Sequence, residues 1–201
     1  GRALGSGSDA WKYWDERRAG QISDVQWLGI EGGIARSHGT CMTMGTAATM
    51  MGMAEALGMT VPGGASPPAV TAERMRIAEE TGARAVQMAI DGLTIDRILT
   101  PDAFENAWRV LLAIGGSTNG IVHLAALAGR VGLDLDLAAL DRMGRDTPVL
   151  LDLKPSGQHY MEDFHHAGGM ATLLHQLKPL LKLSALTVNG HTLGENIEAA
   201  G

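Results

Sequence analysis

Ser37-His38-Gly39-Thr40-Cys41-Met42-Thr43-Met44-Gly45-Thr46-Ala47-Ala48-Thr49-Met50-Met51-Gly52-Met53-Ala54-Glu55-Ala56-Leu57 is the stretch on which the fold turns. From Cys41 onward it predicts a helix over about 41–57. Gly45, Ala47, Ala48, Gly52 and Ala54 carry so little side-chain bulk that neighbouring backbones must come close, and Met44, Met50, Met51 and Met53 fill the gaps. A methionine stripe of this kind reads as core rather than as a cofactor box.

Cys41 is the chain's single cysteine. At the predicted helix start, backbone N–H groups without intrahelical partners and the positive end of the dipole would favour a thiolate, the form that attacks electrophiles or binds metal. Gly39 would let the backbone approach a bulky ligand, and His38 could act as a base toward Cys41 or hydrogen-bond whatever Cys41 binds. The competing reading is a small buried hydrophobe. The residues themselves leave both open.

Working outward, Ser8 or Asp9 can cap a helix through about Arg18, with Trp11 and Trp14 on one face, and Ser23 can cap the next. Val61-Pro62-Gly63-Gly64-Ala65-Ser66-Pro67-Pro68 breaks the periodicity and predicts an irregular loop. A helix follows over about 72–81, with Glu73, Arg74, Arg76, Glu79 and Glu80 on a solvated face. Thr100-Pro101 reads as a helix start, with a capping hydroxyl, proline at the first helical position, and Asp102 and Glu105 near the positive dipole end. That helix runs through Trp108 to about Ile114, stops at Gly115-Gly116, and another begins near Thr118. Val149-Leu150-Leu151-Asp152-Leu153 predicts a buried strand, and Leu186-Thr187-Val188-Asn189-Gly190 a strand and turn. The opening Gly1-Arg2-Ala3-Leu4-Gly5-Ser6-Gly7 reads as a loop, and both ends read as cut, which is what a piece of a larger enzyme would show.

Sixteen Lys and Arg against 22 Asp and Glu give a formal charge of −6, so neither nucleic acid nor an anionic membrane is an expected partner. One cysteine cannot close an internal disulfide, there is no charged segment leading into an apolar one, and the apolar runs are too short to span a bilayer. A soluble, reducing, cytoplasmic setting is expected.

Two further segments could carry chemistry. Gly115-Gly116-Ser117-Thr118-Asn119 joins two helices, and Ser117, Thr118 and Asn119 could cradle a carboxylate or phosphate; stop-and-cap punctuation explains the same residues. In Asp152-Leu153-Lys154-Pro155-Ser156-Gly157, Lys154 and Ser156 would sit beyond a strand's carboxyl end, where open α/β sheets bind ligands, or simply form a surface turn. His165 and His166 follow Glu162 and Asp163, but adjacent helical residues point about 100° apart and the i, i+4 spacing of a zinc helix is missing, so zinc is not expected. His123 reads as a core residue, and His159, His175 and His191 as loop or surface positions.

Taken together, Ser37 through Cys41 with the Met/Thr/Gly/Ala run behind it, Glu55-Ala56-Leu57-Gly58-Met59, Gly115 through Asn119 with His123-Leu124, Asp152 through Gly157, and Met161-Glu162-Asp163 resemble the dihydroxy-acid and aldonic-acid dehydratases, the family that includes 6-phosphogluconate dehydratase. The resemblance spans essentially the whole chain and is strongest to the pentonate and hexonate enzymes.

The resemblance implies a hydro-lyase that converts a 2,3-dihydroxy acid, by preference a sugar acid such as arabinonate or xylonate, to a 2-keto-3-deoxy acid. It implies an iron–sulfur cluster, [2Fe–2S] in many members, held by three cysteines with one iron open as a Lewis acid, a Mg²⁺ ion on the substrate, and a serine base in a second domain. Cys41 would be the last cluster ligand, with His38 and Thr40 beside it, and Ser117, Thr118, Asn119, Lys154 and Ser156 as substrate contacts. The other two cysteines, the Cys-Asp-Lys motif and the serine domain are missing from this sequence, so the isolated chain is expected to hold neither cluster nor Mg²⁺ and to be inactive. The expected fold is α/β and helix-rich, with several helices around a small parallel sheet: residues 1–180 would be part of the cluster-bearing domain and 181–201 the connection toward a β-rich domain. A homo-oligomer is expected. Three other readings stay open: a branched-chain dihydroxy-acid dehydratase, a thiol-nucleophile enzyme with Cys41 attacking and His38 as base, and a non-catalytic helical interaction module.

Overall fold

The computed structural model describes residues 4, 5 and 7–200, so most of the loop expected at 1–7 lies outside the described residues. Among them are eleven α-helices and one 3-10 helix. The first two, α1 (Ser8–Arg18) and α2 (Asp24–Ile34), pack side by side. Gly7 occupies the N-cap of α1, and the Asp9 carboxylate accepts from the Gly5 N–H instead. Ser23 caps α2 as expected: its hydroxyl accepts from Gln26 N–H while the Gln26 side chain accepts from Ser23 N–H.

The quoted stretch supplies α3, which spans Thr46–Ala56 and does not begin at Cys41. Tertiary bonds take the backbone before the helix can: Met42 C=O accepts from Met161 N–H, and Met44 N–H donates to Lys154 C=O. Cys41 therefore sits in a loop ahead of the helix. Its distance from the first helical turn removes the dipole effect, which fades beyond that turn.

Helix α4 (Ala72–Asp91) runs well past the expected stop near 81. It is followed by the short α5 (Ile95–Ile98) and by α6 (Pro101–Ala113), which starts where Thr100-Pro101 predicts, with the Thr100 hydroxyl accepting from Ala103 N–H. The rest are α7 (Asn119–Arg130), α8 (Leu137–Asp146), α9 (Met161–His166), α10 (Gly169–Leu177), a 3-10 turn (Lys178–Leu180) and α11 (Leu193–Ala199).

Helices α3 and α6 form the largest contact and divide the interior. On one side Met44, Ala48, Val110, Ile114, Phe164, Met170, Leu174, Leu177, Leu193 and Ile197 form a core with α9, α10 and α11. On the other, Met53, Leu57, Phe104, Trp108, Leu111, Leu124 and Leu140 form a second with α7 and α8. A smaller third cluster joins Val61, Leu93, Ile98 and Val188, with Ile77 and Met88 of α4 packed on it. The predicted close approach along α3 is present: a Cβ on Gly52 would lie 3.3 Å from Met170 Sδ.

The expected α/β architecture with a small parallel sheet is overturned, since the described residues contain no β-strand. A strand needs a neighbour to complete its hydrogen-bond ladder, and the 149–153 run finds none. Leu150 N–H donates to Ala113 C=O at the end of α6, and Lys154 and His159 close a turn through single backbone bonds, leaving one isolated bridge from Leu153 to His159. Val149 and Leu150 are exposed. The 186–190 segment likewise forms one bridge, Leu186 to Thr192, around a turn in which Val188 N–H donates to Gly58 C=O.

Candidate functional site

A wide cleft of about 800 Å³ lies between the loop that follows α2, the irregular loop after α3, and the start of α9. Cys41, His38 and Thr40 all line it. Cys41 is exposed, with Sγ 3.2 Å from Thr43 Oγ1 and 3.6 Å from Thr43 C=O. The buried-hydrophobe reading of this thiol does not hold. His38 is exposed in the same loop, and the Ser37 hydroxyl donates to its carbonyl.

The Pro/Gly loop is held as a wall of the cleft by two residues to which the sequence assigned no role in the site, Arg74 having been placed on a solvated face. Glu55, at the buried end of α3, accepts from Gly63 N–H at 2.8 Å and Ala65 N–H at 2.9 Å. Arg74, in the first turns of α4, donates to Gly64 C=O and Pro67 C=O, both at 2.6 Å. Burial pushes the Glu55 carboxyl above the ordinary glutamate range, against the two amide bonds and the Arg74 charge. The readable signal was an acidic residue inside a run of small and apolar ones, shortly before two glycines. At the rim, Arg36 pairs with Glu162 at 3.2 Å.

The other expected site residues lie elsewhere. Ser117 and Asn119 hydrogen-bond Thr46 on α3, at 3.0 and 2.9 Å, and Ser117 N–H donates to Thr49 Oγ1. Thr118 is exposed at the N-cap of α7. Lys154 donates to the Tyr160 hydroxyl at 3.0 Å and lies 3.8 Å from the Asp9 carboxylate; the Tyr160 bond, ahead of the charges, raises its pKa. Ser156 is exposed in the adjoining turn. None of these five lines the cleft. His123, expected in the core, is exposed, and His165 pairs with Glu73 of α4 at 3.4 Å.

Among the described residues no three His, Cys, Asp or Glu side chains converge as a metal site. Cys41 is the one thiol lining the cleft, and a thiolate is what an iron–sulfur cluster requires, so it fits such a group as one ligand of several. No helix among the described residues is long and apolar enough to cross a membrane.

The helical scaffold thus presents one exposed thiol at the edge of a cleft large enough for a small molecule. Residues 3–196 match the family described as dihydroxy-acid/6-phosphogluconate dehydratase N-terminal, and the chain belongs to that family. It is 48% identical to L-arabinonate dehydratase of Rhizobium leguminosarum bv. trifolii over 98% of its own length and 34% of that protein's. It is 42% identical to 6-deoxy-6-sulfo-D-gluconate dehydratase of Pseudomonas putida, covering 96% of the chain and 33% of the relative. Dihydroxy-acid dehydratase of Caldanaerobacter subterraneus is also 42% identical, over 91% and 33%. The chain thus spans about a third of the length of the curated relatives it matches.

Proposed function

We propose that this chain is the part of a sugar-acid dehydratase that presents Cys41 as one thiolate ligand to an iron–sulfur cluster, [2Fe–2S] by preference. The observation that carries this reading is the exposure of Cys41, within Ser37-His38-Gly39-Thr40-Cys41, on a cleft of about 800 Å³. Ligation also suits Cys41 better than nucleophilic attack: away from the helix dipole, bound metal supplies the charge that keeps a coordinating thiol deprotonated.

The reaction is the loss of water from a 2,3-dihydroxy acid to give a 2-keto-3-deoxy acid. The cluster, when bound, supplies a Lewis-acidic iron for the departing 3-hydroxyl. Cys41 would hold that group as one thiolate ligand, with Thr43 hydrogen-bonded to the sulfur and His38 and Thr40 on the same loop. Arg36, Ser66 and Glu162 place polar groups among the mostly apolar residues that line the cleft, and a polyhydroxylated acid can hydrogen-bond to them. The L-arabinonate dehydratase relative supports the sugar-acid choice. Mg²⁺, bound by groups outside this chain, completes the site, and the working protein is a cytoplasmic homo-oligomer. With one sulfur, the isolated chain binds no cluster and is inactive.

The test compares this chain with a family-length protein containing it, both purified without oxygen, for iron content and for turnover of aldonic acids and dihydroxyisovalerate. The expected result is iron and a preference for pentonates in the long protein and neither in the chain alone. Full activity of the chain alone, or preference for dihydroxyisovalerate, would contradict the reading.

A further inference from the structure

We propose that Glu55 and Arg74 are positioning residues for Cys41, acting through the cleft wall formed by residues 63–69. Describing Cys41 as a cluster ligand rests on the function proposed above; the positioning itself does not.

The wall is gripped from two helices. Glu55 of α3 uses one carboxylate oxygen for Gly63 N–H and the other for Ala65 N–H, while Arg74 of α4 uses both terminal nitrogens, one for Gly64 C=O and one for Pro67 C=O. The Thr71 hydroxyl adds a bond to Pro68 C=O at 2.9 Å. Backbone groups on both sides of this stretch are therefore held by side chains fixed elsewhere. The wall ends against the cysteine loop. Gly39 has φ +109°, and a Cβ there would lie 2.6 Å from Ala69 Cβ, so the two loops touch at a point where only glycine fits.

On its other side the cysteine loop is also tied down, because Met42 C=O accepts from Met161 N–H and Met44 N–H donates to Lys154 C=O. Cys41 thus lies between two fixed points, Gly39 against Ala69 and Met42 against Met161. A shift of the wall passes into residues 39–41, since the Met42 side cannot follow. The clamp sets the position of the sulfur without touching it.

A merely structural Glu55 would lower stability and leave the thiol as it was, so the readout is the rate of Cys41 alkylation by iodoacetamide in the folded chain, well below its Tm. Glu55→Gln and Arg74→Met are each expected to change that rate by about threefold or more, because thiol reactivity follows local environment and access. Leu140→Ala, in the core on the far side of α6, is expected to lower Tm with the rate held within about 1.5-fold, as independent sites behave. If Glu55→Gln fails to fold, the Gly39/Ala69 pair decides. Gly39→Ala is expected to change the rate, and adding Ala69→Gly to bring it back toward the unaltered value. Strain at φ +109° is common to both variants, so their difference isolates the contact. Unchanged rates in the Arg74 and Glu55 variants, an equal change in Leu140→Ala, or no recovery on adding Ala69→Gly would overturn the proposal. The readout needs no iron, so a family-length protein lacking a cluster would refute the function while these rates stood.

Discussion

Glu55 shows how much one side chain can decide. Its carboxylate is buried with both oxygens bonded to amides of the cleft wall, and burial holds its pKa above the ordinary glutamate value. The folded state therefore binds this proton more tightly than the unfolded chain does. The contribution to stability is fully present below the unfolded-state pKa and is lost as pH rises through the folded-state value. Glu55→Gln removes the titration, and its amide can accept from only one of the two N–H groups, leaving the other unpaired at a cost of about 1–3 kcal/mol. Urea unfolding across the acid-to-neutral range should show the stability difference, unaltered chain minus Glu55→Gln, falling as pH rises; a difference flat in pH would show that Glu55 does not titrate in this way. The sequence marked Cys41 as the residue to watch but gave its setting wrongly. A helix start was inferred from composition, whereas the loop exists because Met42 and Met44 bond to partners more than a hundred positions away.

Among elements, the helices that carry local signals were legible. Ser23 with Gln26 and Thr100 with Pro101 form the expected caps, because capping is settled within a few residues of chain. Thr100→Ala is accordingly expected to destabilise the protein by about 1 kcal/mol, with a parallel loss in thermal unfolding midpoint. A midpoint unchanged within error would mean that burial of the α6 core face alone holds that end. The expected strands failed for the converse reason. Val149 through Leu153 has the apolar character of a buried strand, yet a strand is defined by a partner, and the run meets the end of α6 and its own turn instead. Apolar runs of that length do not distinguish a strand from an extended connector. Helix α4 runs past its predicted end, where Met88 packs on the cluster of Val61, Leu93, Ile98 and Val188, a burial that the charged face conceals in the sequence.

At the scale of the molecule, two cores meet along α3 and α6, and the cleft opens where the loops beside them come together. The thiol motif was visible in one short stretch, but the rest of the cleft was not. Arg36 and Glu162 meet across 126 positions, and Arg74 was read only as part of a solvated face. Ser117 and Asn119 looked like a ligand cradle; their side chains are bonded to Thr46 on α3, a contact between segments too far apart to be read from spacing. What joins these levels is the claim that Cys41 is a cluster ligand at the cleft. The most direct measurement is the iron and sulfide content, with the visible absorption spectrum, of a family-length protein carrying Cys41→Ala and purified without oxygen beside the unaltered protein. Loss of iron, sulfide and colour in a variant whose helical circular dichroism is retained is the predicted result; a variant that keeps its full complement of iron and sulfide would contradict it.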